Sequence, residues 1–463
     1  MNILQAMNDD KLFARWFAGD SWLAWRACMA ALFGLPMSRY EARLYREATG
    51  RTRRPTKQAR EGWVIAGRRA GKSLVASLVA VYLATFKEYT SLLARGERAT
   101  VMLLAADRRQ ARVVMRYICG FIEHTPLLHA MVVNQFKEAI ELNNGVTIEV
   151  HTANFRSVRG YTIAAAICDE LAFWKSDDFS ANPDTAVIGA LRPALATIPS
   201  SLLLCISSPY ARQGALWDAY QKHFGKDGDG VLVWQAPTHR MNPMLDQEVI
   251  AQAYEDDEAS AAAEYGGQFR RDIESYISRE AVESCTGPYI ERGFDSKFTY
   301  RAFADPAGGS GKDSYTLAIG HSEGDRTIVD CLRETRPKFD PEATTAEYAR
   351  LVLSYGVHQV KGDHYAGDWP AEQFRKRGVT YQTADKTKSE LYVDCLPLFN
   401  SRRIEIPNNQ RLIAQICGLE RRTGRGTGKD SIDSAPNGHE DLANCVAGLA
   451  CGTPAKRLVQ RIV

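Results

Sequence analysis

Residues 61–80 read EGWVIAGRRAGKSLVASLVA, and the interpretation of this stretch decides the fold. The apolar run from Trp63 to Ala66 reads as a short buried strand, and KSLVASLVAVYLATF, starting at Lys72, reads as a buried helix. Between them the loop fits the pattern G-x-x-x-x-G-K-[ST], except that Ala66 stands where the first glycine is wanted. Such a loop holds phosphate because consecutive backbone N–H groups turn inward and the next helix aims its positive end at the anion. Gly67 and Gly71 permit the tight backbone around Arg68, Arg69 and Ala70. Lys72 would reach the β- and γ-phosphates of ATP and Ser73 would help hold Mg²⁺. Ala66 adds one methyl group, which a loop with negative φ at that position tolerates.

Strand-like runs alternate with helical ones from here onward: TVMLLAA, DRRQARVVMRYICGFI, VTIEVHT, AAAICDE and SLLLCISS. That alternation predicts an α/β fold, a mainly parallel sheet with flanking helices, and with the loop it predicts a P-loop NTPase domain. AAAICDE places Asp169 and Glu170 at the end of an apolar strand. An Asp-Glu pair at a strand end is, taken alone, a solvated turn. After a phosphate loop it reads as the acidic element of an ATPase, with Asp169 on Mg²⁺ and Glu170 polarising the attacking water. SLLLCISSP ends a third strand in Ser207 and Ser208, whose hydroxyls either sense the γ-phosphate or simply cap a turn.

The 463 residues have room for two or three domains, with 45% apolar and 24% charged residues, as in ordinary globular proteins. The net charge of +3 names no partner, but 39–60 and 402–429 are locally basic, suited to nucleic acid or phosphate, or else solvated faces. Ten scattered cysteines without a C-x-x-C pair, several in apolar runs (Cys168, Cys205, Cys445), point to a reducing cytosol rather than a disulfide scaffold or zinc module. The start lacks the pattern of a signal peptide, and the longest apolar run, Leu74 to Phe86, is too short to span a bilayer, so a cytoplasmic protein with no membrane partner is expected. The expected organisation is a helical, basic N-terminal region at 1–60, an ATPase core at 61–210, a lid or linker at 211–295, and a second α/β domain at 296–463.

That last block opens with three runs, YRAFADPAGG, SYTLAIGHSEG and RTIVDCLRE, that read as a β-meander. Helix, strand and helix follow: PEATTAEYARLVLSYG, HQVKGDHY, DWPAEQFRKRG. Asp305 ends the first meander strand, Asp363 ends the later strand, and Glu440 and Asp441 open a helical run behind the flexible, basic RRTGRGTGKDSIDSAPNG. Cleaving a phosphodiester with two Mg²⁺ or Mn²⁺ ions needs clustered hard oxygens on rigid elements. Acids on the first strand, the fourth strand and a late helix are the layout of a ribonuclease H-like nuclease.

From about Trp63 to Gly452 the chain resembles the large terminase subunit of tailed bacteriophages, the motor and nuclease that packages viral DNA. The resemblance rests on AGRRAGKS, RGYTIAAAICDE, LLLCISSP, ADPAGGSGKDSYTLAIG and SIDSAPNGHEDLANCVAGLA. The family accepts alanine at the first loop position. The resemblance implies ATP binding by Lys72 and Ser73, Asp169 on Mg²⁺, Glu170 as catalytic carboxylate, coupling through Ser207 and Ser208, and nuclease metals on Asp305, Asp363 and Asp441. Glu440 competes with Asp441 for that last place. The family often carries a further Asp where Asn444 stands, which puts a fourth ligand in doubt, and Asp313 is either an auxiliary acid or a turn residue. An arginine is expected on the transferred phosphoryl group: Arg68 or Arg69 in cis, or Arg159 reaching a neighbouring subunit of a ring, the assignment favoured here. Implied partners are double-stranded DNA, a small terminase subunit, a portal and procapsid, and further copies of the chain. The implied place is the cytoplasm of the infected bacterial host, not the mature virion. Two rivals remain: a DNA helicase or repair translocase with a non-catalytic C-terminal domain, and a scaffold using ATP only as a structural ligand. The adenine contact is open, with Trp63 either near the base or in the core, and residues 1–60 either bind the small subunit or brace the ATPase.

Overall fold

A computed structural model describes residues 1–106, 108–153, 160–174, 183–311, 313–363, 369–423, 430–435 and 438–451. The described residues divide into two compact units, one ending at Arg271 and the other beginning at Asp272.

The first unit is built on an eight-stranded sheet. Across it lie Val132–Gln135, Ala139–Leu142, Val146–Thr152, Ala99–Ala105, Thr162–Asp169, Leu202–Ser207, Glu61–Ala66 and Val231–Ala236. The last six run parallel, and the first two form an antiparallel hairpin on one edge. Parallel strands covered on both faces must be apolar throughout, and Ala99–Ala105 and Leu202–Ser207 are buried at every position. One face is covered by Lys72–Phe86 together with the N-terminal helices, so that Phe13, Trp25 and Leu32 share a core with Val75 and Leu78. The other face is covered by Pro183–Leu195 and Gly214–His223. Trp63 points into this second core, 1% exposed, with its indole N–H on Glu61 at 3.1 Å. Cys168, Cys205 and Cys445 are buried, in keeping with their apolar surroundings.

The α/β class and the sheet with flanking helices agree with the sequence reading; the finer division differs. Residues 1–60 do form helices, Ile3–Asn8, Ala14–Phe17, Leu23–Phe33 and Arg39–Thr49, but these complete the core of the first unit rather than standing apart from it. The stretch 211–295 is not one body. Val231–Ala236 is an edge strand beside the loop strand, whereas Ile273–Ser275 pairs with Leu419–Thr423 in the second unit. The helix read through IAQAYEDDEASAAAEY is two, Gln247–Asp256 and Glu258–Glu264, because Asp257 takes extended backbone and its carboxylate caps Ala259 and Ser260.

In the second unit six strands lie in the order Thr380–Thr383, Gln359–Gly362, Arg301–Asp305, Tyr315–Glu323, Arg326–Thr335 and Ile404–Glu405. The middle three form the expected antiparallel meander, and Gln359–Gly362 joins the first of them in parallel. This is the strand order of a ribonuclease H-like fold. The segment expected to be flexible carries two strands of a second sheet, Leu419–Thr423 and Asp430–Ser434; residues 424–429 lie outside the described residues. Arginines in Leu419–Thr423 mask its alternation, while Ile432 on the partner strand is 1% exposed and anchors the pair in the core.

The helix Asp441–Cys451 crosses this sheet closely enough that a Cβ on Gly448 would lie 2.4–2.5 Å from three ring atoms of Phe303. Gly448→Ala is therefore expected to destabilise the second unit by about 1–3 kcal/mol, as overpacking does. A chemical-denaturation midpoint equal to the parent's would show that the helix does not lie this close.

Candidate functional site

The loop after Glu61–Ala66 takes its shape from fixed peptide groups. Ala66 is the last residue of the strand, fully buried and without positive φ, so its methyl group points into the core. Gly71 has φ 91° and Arg69 has φ 63°, both in the left-handed region where a side chain costs energy. Gly67 has no room for a side chain, since a Cβ would stand 2.2 Å from Thr238 Oγ1 and 2.8 Å from the Glu264 and Tyr265 carbonyls.

Three successive loop carbonyls are tied down by donors from distant segments. Thr238 Oγ1 donates to Arg68 O at 2.9 Å, Asn242 Nδ2 to Arg69 O at 2.8 Å, and Trp25 Nε1 to Ala70 O at 2.7 Å. The planar trans peptide places each following N–H opposite its carbonyl. Pinning the carbonyls therefore turns the amides of Arg69, Ala70 and Gly71 the other way, as phosphate requires. Arg68 is further held by its backbone N–H on Glu264 O and by its guanidinium on the Glu264 carboxylate at 3.1 and 3.3 Å. Arg159 lies outside the described residues.

The strand Leu202–Ser207 stands between the loop strand and the Asp169 strand, so its end meets both. Lys72, 5% exposed, donates to Ala66 O at 3.2 Å, Gly67 O at 3.1 Å and Ser208 Oγ at 2.7 Å, and its ammonium lies 3.3 Å from Glu170. Glu170 accepts from the Ser208 N–H at 3.2 Å and from Ser207 Oγ at 3.4 Å, and Ser207 Oγ accepts from the Ala172 N–H at 3.1 Å. Both serines thus bond to the acid, and Ser207 also to Ala172 just after it. Glu170 has φ 50°, an uncommon conformation that turns the chain sharply out of the strand.

Ser73 Oγ donates to Asp169 Oδ2 at 2.9 Å, while Asp169 Oδ1 is buried without a hydrogen-bond partner among the described residues. Burial, and then the charge of Glu170, push Asp169 up to about 6 against the pull of Ser73 and Lys72. A buried carboxylate oxygen without a donor beside a serine hydroxyl is a donor set that fits a hard divalent cation.

In the second unit Asp305 and Asp363 arrive side by side. Ala304 pairs with Gly362 across parallel strands, and the Asp363 N–H continues the ladder to Ala304 O at 3.3 Å. Asp441 opens its helix with Oδ2 on the Ser314 N–H at 3.0 Å. These three acids line a pocket of about 430 Å³ with Glu440, Lys388 and Asn444, and Asp313 is on its wall. Asn444 Nδ2 stands between two of the acids, 2.8 Å from Asp305 Oδ2 and 3.3 Å from Asp363 Oδ2. Lys388 pairs with Glu440, and with Asp433 at 3.1 Å. Among the described residues no three acidic, His or Cys side chains stand close enough together to hold a metal ion as they are placed, although the acids share one pocket. Burial, and then the neighbouring Asp363 and Asp441 charges, push Asp305 up to about 8 although Asn444 donates to it. Burial pushes Glu440 up to about 7 against Lys388, and also raises Asp441. Buried, mutually repelling carboxyl groups, with orphaned oxygens on Glu440 and Asn444, fit a divalent-cation site.

The structure thus brings Lys72, Ser73, Asp169, Glu170, Ser207 and Ser208 together in one unit, and Asp305, Asp363 and Asp441 in the other. Sequence reasoning missed Trp25, Thr238, Asn242 and Lys388, whose partners are 45 to 173 residues away for the first three and 52 for the lysine's bond to Glu440.

Residues 64–203 match the family described as Terminase large subunit, T4likevirus-type, N-terminal. The match covers the phosphate loop and the Asp169–Glu170 strand end, and it bears out the resemblance read from those motifs. Comparison with curated proteins finds no match. Among solved structures the chain is similar to the HK97 bacteriophage large terminase, with 16% identity, 85% of this chain and 91% of that one covered, and a TM-score of 0.38. It is similar to the large terminase of a thermophilic bacteriophage in complex with ADP, with 10% identity, 84% and 94% covered, and a TM-score of 0.37. It is also similar to the large terminase nuclease of thermophilic phage G20c with bound magnesium, with 18% identity, 38% and 96% covered, and a TM-score of 0.33.

The raised acid in the second unit has a consequence for stability. An Asp whose folded pKa lies near 8, above its ordinary 3.8, binds a proton more tightly in the folded state. Its contribution is full below pH 4 and is lost as pH rises through 8. Asp305→Asn is expected to be more stable than the parent at pH 8.5, by about 1–3 kcal/mol, and to show a flatter pH dependence. Urea midpoints across this range that run parallel in the two proteins would contradict it.

Proposed function

We propose that this chain, whose residues 64–203 match the terminase large subunit family, is a viral DNA-packaging motor that also cuts DNA. The observation that carries the reading is the bonding of Lys72, Glu170 and Ser208 to one another, in a chain that also holds the Asp305–Asp363–Asp441 pocket.

In the motor unit the loop amides and Lys72 would bind the β- and γ-phosphates of ATP, Ser73 and Asp169 would hold the accompanying Mg²⁺, and Glu170 would orient the attacking water. When phosphate takes the Lys72 donors, Ser208 Oγ loses its lysine partner while its backbone N–H stays on Glu170. Ser207 and Ser208 thereby carry the state of the phosphate site to the chain after Glu170. The charge-neutralising arginine is Arg159 from a neighbouring subunit or Arg68 or Arg69 in cis; Arg68 is engaged with Glu264, which leaves Arg69 as the cis alternative among the described residues. Translocation of double-stranded DNA into a procapsid would use several copies of the chain on a portal, with a small terminase subunit delivering the DNA, in the cytoplasm of an infected bacterium. Phosphate contacts make that grip salt-sensitive.

In the second unit Asp305, Asp363 and Asp441 would hold two Mg²⁺ or Mn²⁺ ions. Such ions supply an activated water and stabilise the leaving oxygen. The carboxylates position them, Asn444 separates Asp305 from Asp363, and Lys388 balances the charge of Glu440.

Two measurements test the reading. Supercoiled plasmid incubated with the protein and Mg²⁺ or Mn²⁺, with procapsids and small subunit if needed, is expected to be cut by the parent and left intact by Asp363→Ala. ATP turnover is expected to fall by about a hundredfold or more in Glu170→Gln with nucleotide binding retained. An intact plasmid with all partners present would remove the nuclease assignment, and undiminished turnover in Glu170→Gln would remove the ATPase assignment.

A further inference from the structure

The helix that carries Asp441 begins without using either of its own acids as a cap. Asn444 N–H bonds to Glu440 O at 2.8 Å, so Glu440 is the capping residue and Asp441, Leu442 and Ala443 are the first three of the helix. A capping side chain ordinarily accepts from the second or third of these N–H groups. Here the Glu440 carboxylate is paired with Lys388, and Asp441 Oδ2 is held by the Ser314 N–H. The N–H groups of Leu442 and Ala443 instead both reach Gln415 Oε1, at 2.8 and 3.2 Å.

Gln415 comes from another helix, Gln410–Cys417, and is 6% exposed. Two donors converging on one atom identify that atom as the carbonyl oxygen of the side-chain amide. Its Nε2 has no hydrogen-bond partner among the described residues, so the oxygen makes this side chain's bonds here. Keeping a buried amide with an orphaned donor is costly, and the two accepted hydrogen bonds offset that cost.

We propose that Gln415 is a positioning residue for the acid pocket: by capping the helix in trans, it leaves the carboxylates of Glu440 and Asp441 facing the pocket. The assignment rests on reading that pocket as a metal-dependent nuclease site. Without the Gln415 oxygen, the two carboxylates at the helix start are acceptors placed by sequence to replace it at the Leu442 and Ala443 N–H groups. Whichever turned back to cap would withdraw from the cations.

The test is Mn²⁺ binding by the full-length chain, measured by calorimetry and counted as the binding that Asp305→Asn abolishes, which sets aside any ion at the nucleotide site. Gln415→Met fills the same space without an acceptor and is expected to weaken that binding about tenfold, the scale on which outer-shell partners act. Gln415→Glu keeps an oxygen at the same reach and is expected to restore it. In plasmid cleavage the Met variant should need about tenfold more Mn²⁺ for half-maximal rate, with the rate at saturating metal little changed, a split that general loss of structure would not produce. If the Met variant loses the cooperative unfolding of this unit, Gln415→Asn, whose oxygen falls one methylene short, is read on the same scale. Parental affinity in a folded Met or Asn variant, or failure of the Glu variant to restore it, overturns the capping role and leaves the nuclease reading standing. Absence of any Asp305-dependent Mn²⁺ binding in the parent protein overturns the nuclease reading, and this proposal with it.

Discussion

A lysine ammonium 5% exposed cannot stand alone, because an unpaired charge of that burial would neutralise or unfold its surroundings. Lys72 meets the requirement with two carbonyls of its own loop, a serine hydroxyl and a carboxylate. These partners come from the ends of three neighbouring strands, with Leu202–Ser207 between the loop strand and the Asp169 strand. Ser208 then touches Lys72 through its hydroxyl and Glu170 through its N–H, so the lysine, the serine and the acid form one connected set. The left-handed backbone at Glu170 costs about 1–2 kcal/mol, and the bonds to Ser207, Ser208 and Lys72 hold it there. On the proposed reading, phosphate at the loop would compete for a lysine already in use, and occupancy of the loop would become a change at the acid.

The second unit has the opposite problem, an excess of like charge. Asp305, Asp363 and Asp441 face one pocket from two adjacent strand ends and a helix start, and burial with the neighbouring charges favours the protonated form of Asp305, as burial does that of Asp441. Neutral and cationic groups occupy the places between them. Asn444 divides Asp305 from Asp363, and Lys388 is paired with Glu440. An aspartate at position 444 would add a further negative charge within hydrogen-bond distance of two others. The asparagine spares the site that repulsion while keeping an oxygen without a hydrogen-bond partner among the described residues.

What was legible in the sequence were features whose meaning is local. The loop pattern, the acid pair ending an apolar strand and the meander each follow from a few contiguous residues, the first two in one unit and the meander in the other. The choice between Glu440 and Asp441 was not legible, because both share the helix start and both line the pocket; what separates them is that Glu440 pairs with Lys388 while Ser314 holds Asp441. Short edge strands such as Val132–Gln135 and Thr380–Thr383 were hidden by exposed polar residues that break the apolar alternation. The partition of 211–295 was equally hidden. Nothing in VLVWQA says that it pairs with Glu61–Ala66, far earlier in the chain, although its apolar run is plain in retrospect.

The bracing of the phosphate loop shows why the segments on either side of the motifs cannot be accessory. Arg68, Arg69 and Ala70 present three carbonyls in a row, and each is satisfied by a side chain from outside the loop. Trp25 belongs to the N-terminal helices, while Thr238 and Asn242 lie beyond the last sheet strand. A peptide whose oxygen is fixed has its neighbouring N–H fixed as well, so these three donors determine where the phosphate-facing amides point. The packing of Gly67 against Thr238 and against the Glu264 and Tyr265 carbonyls leaves no slack on that side of the loop. Any displacement of the loop if nucleotide binds would then either break these hydrogen bonds, of which the one from Trp25 is buried, or carry the bracing segments with it. The second course is the less costly one, and under the proposed function it would make the N-terminal helices and residues 238–265 parts that move with the loop rather than its housing.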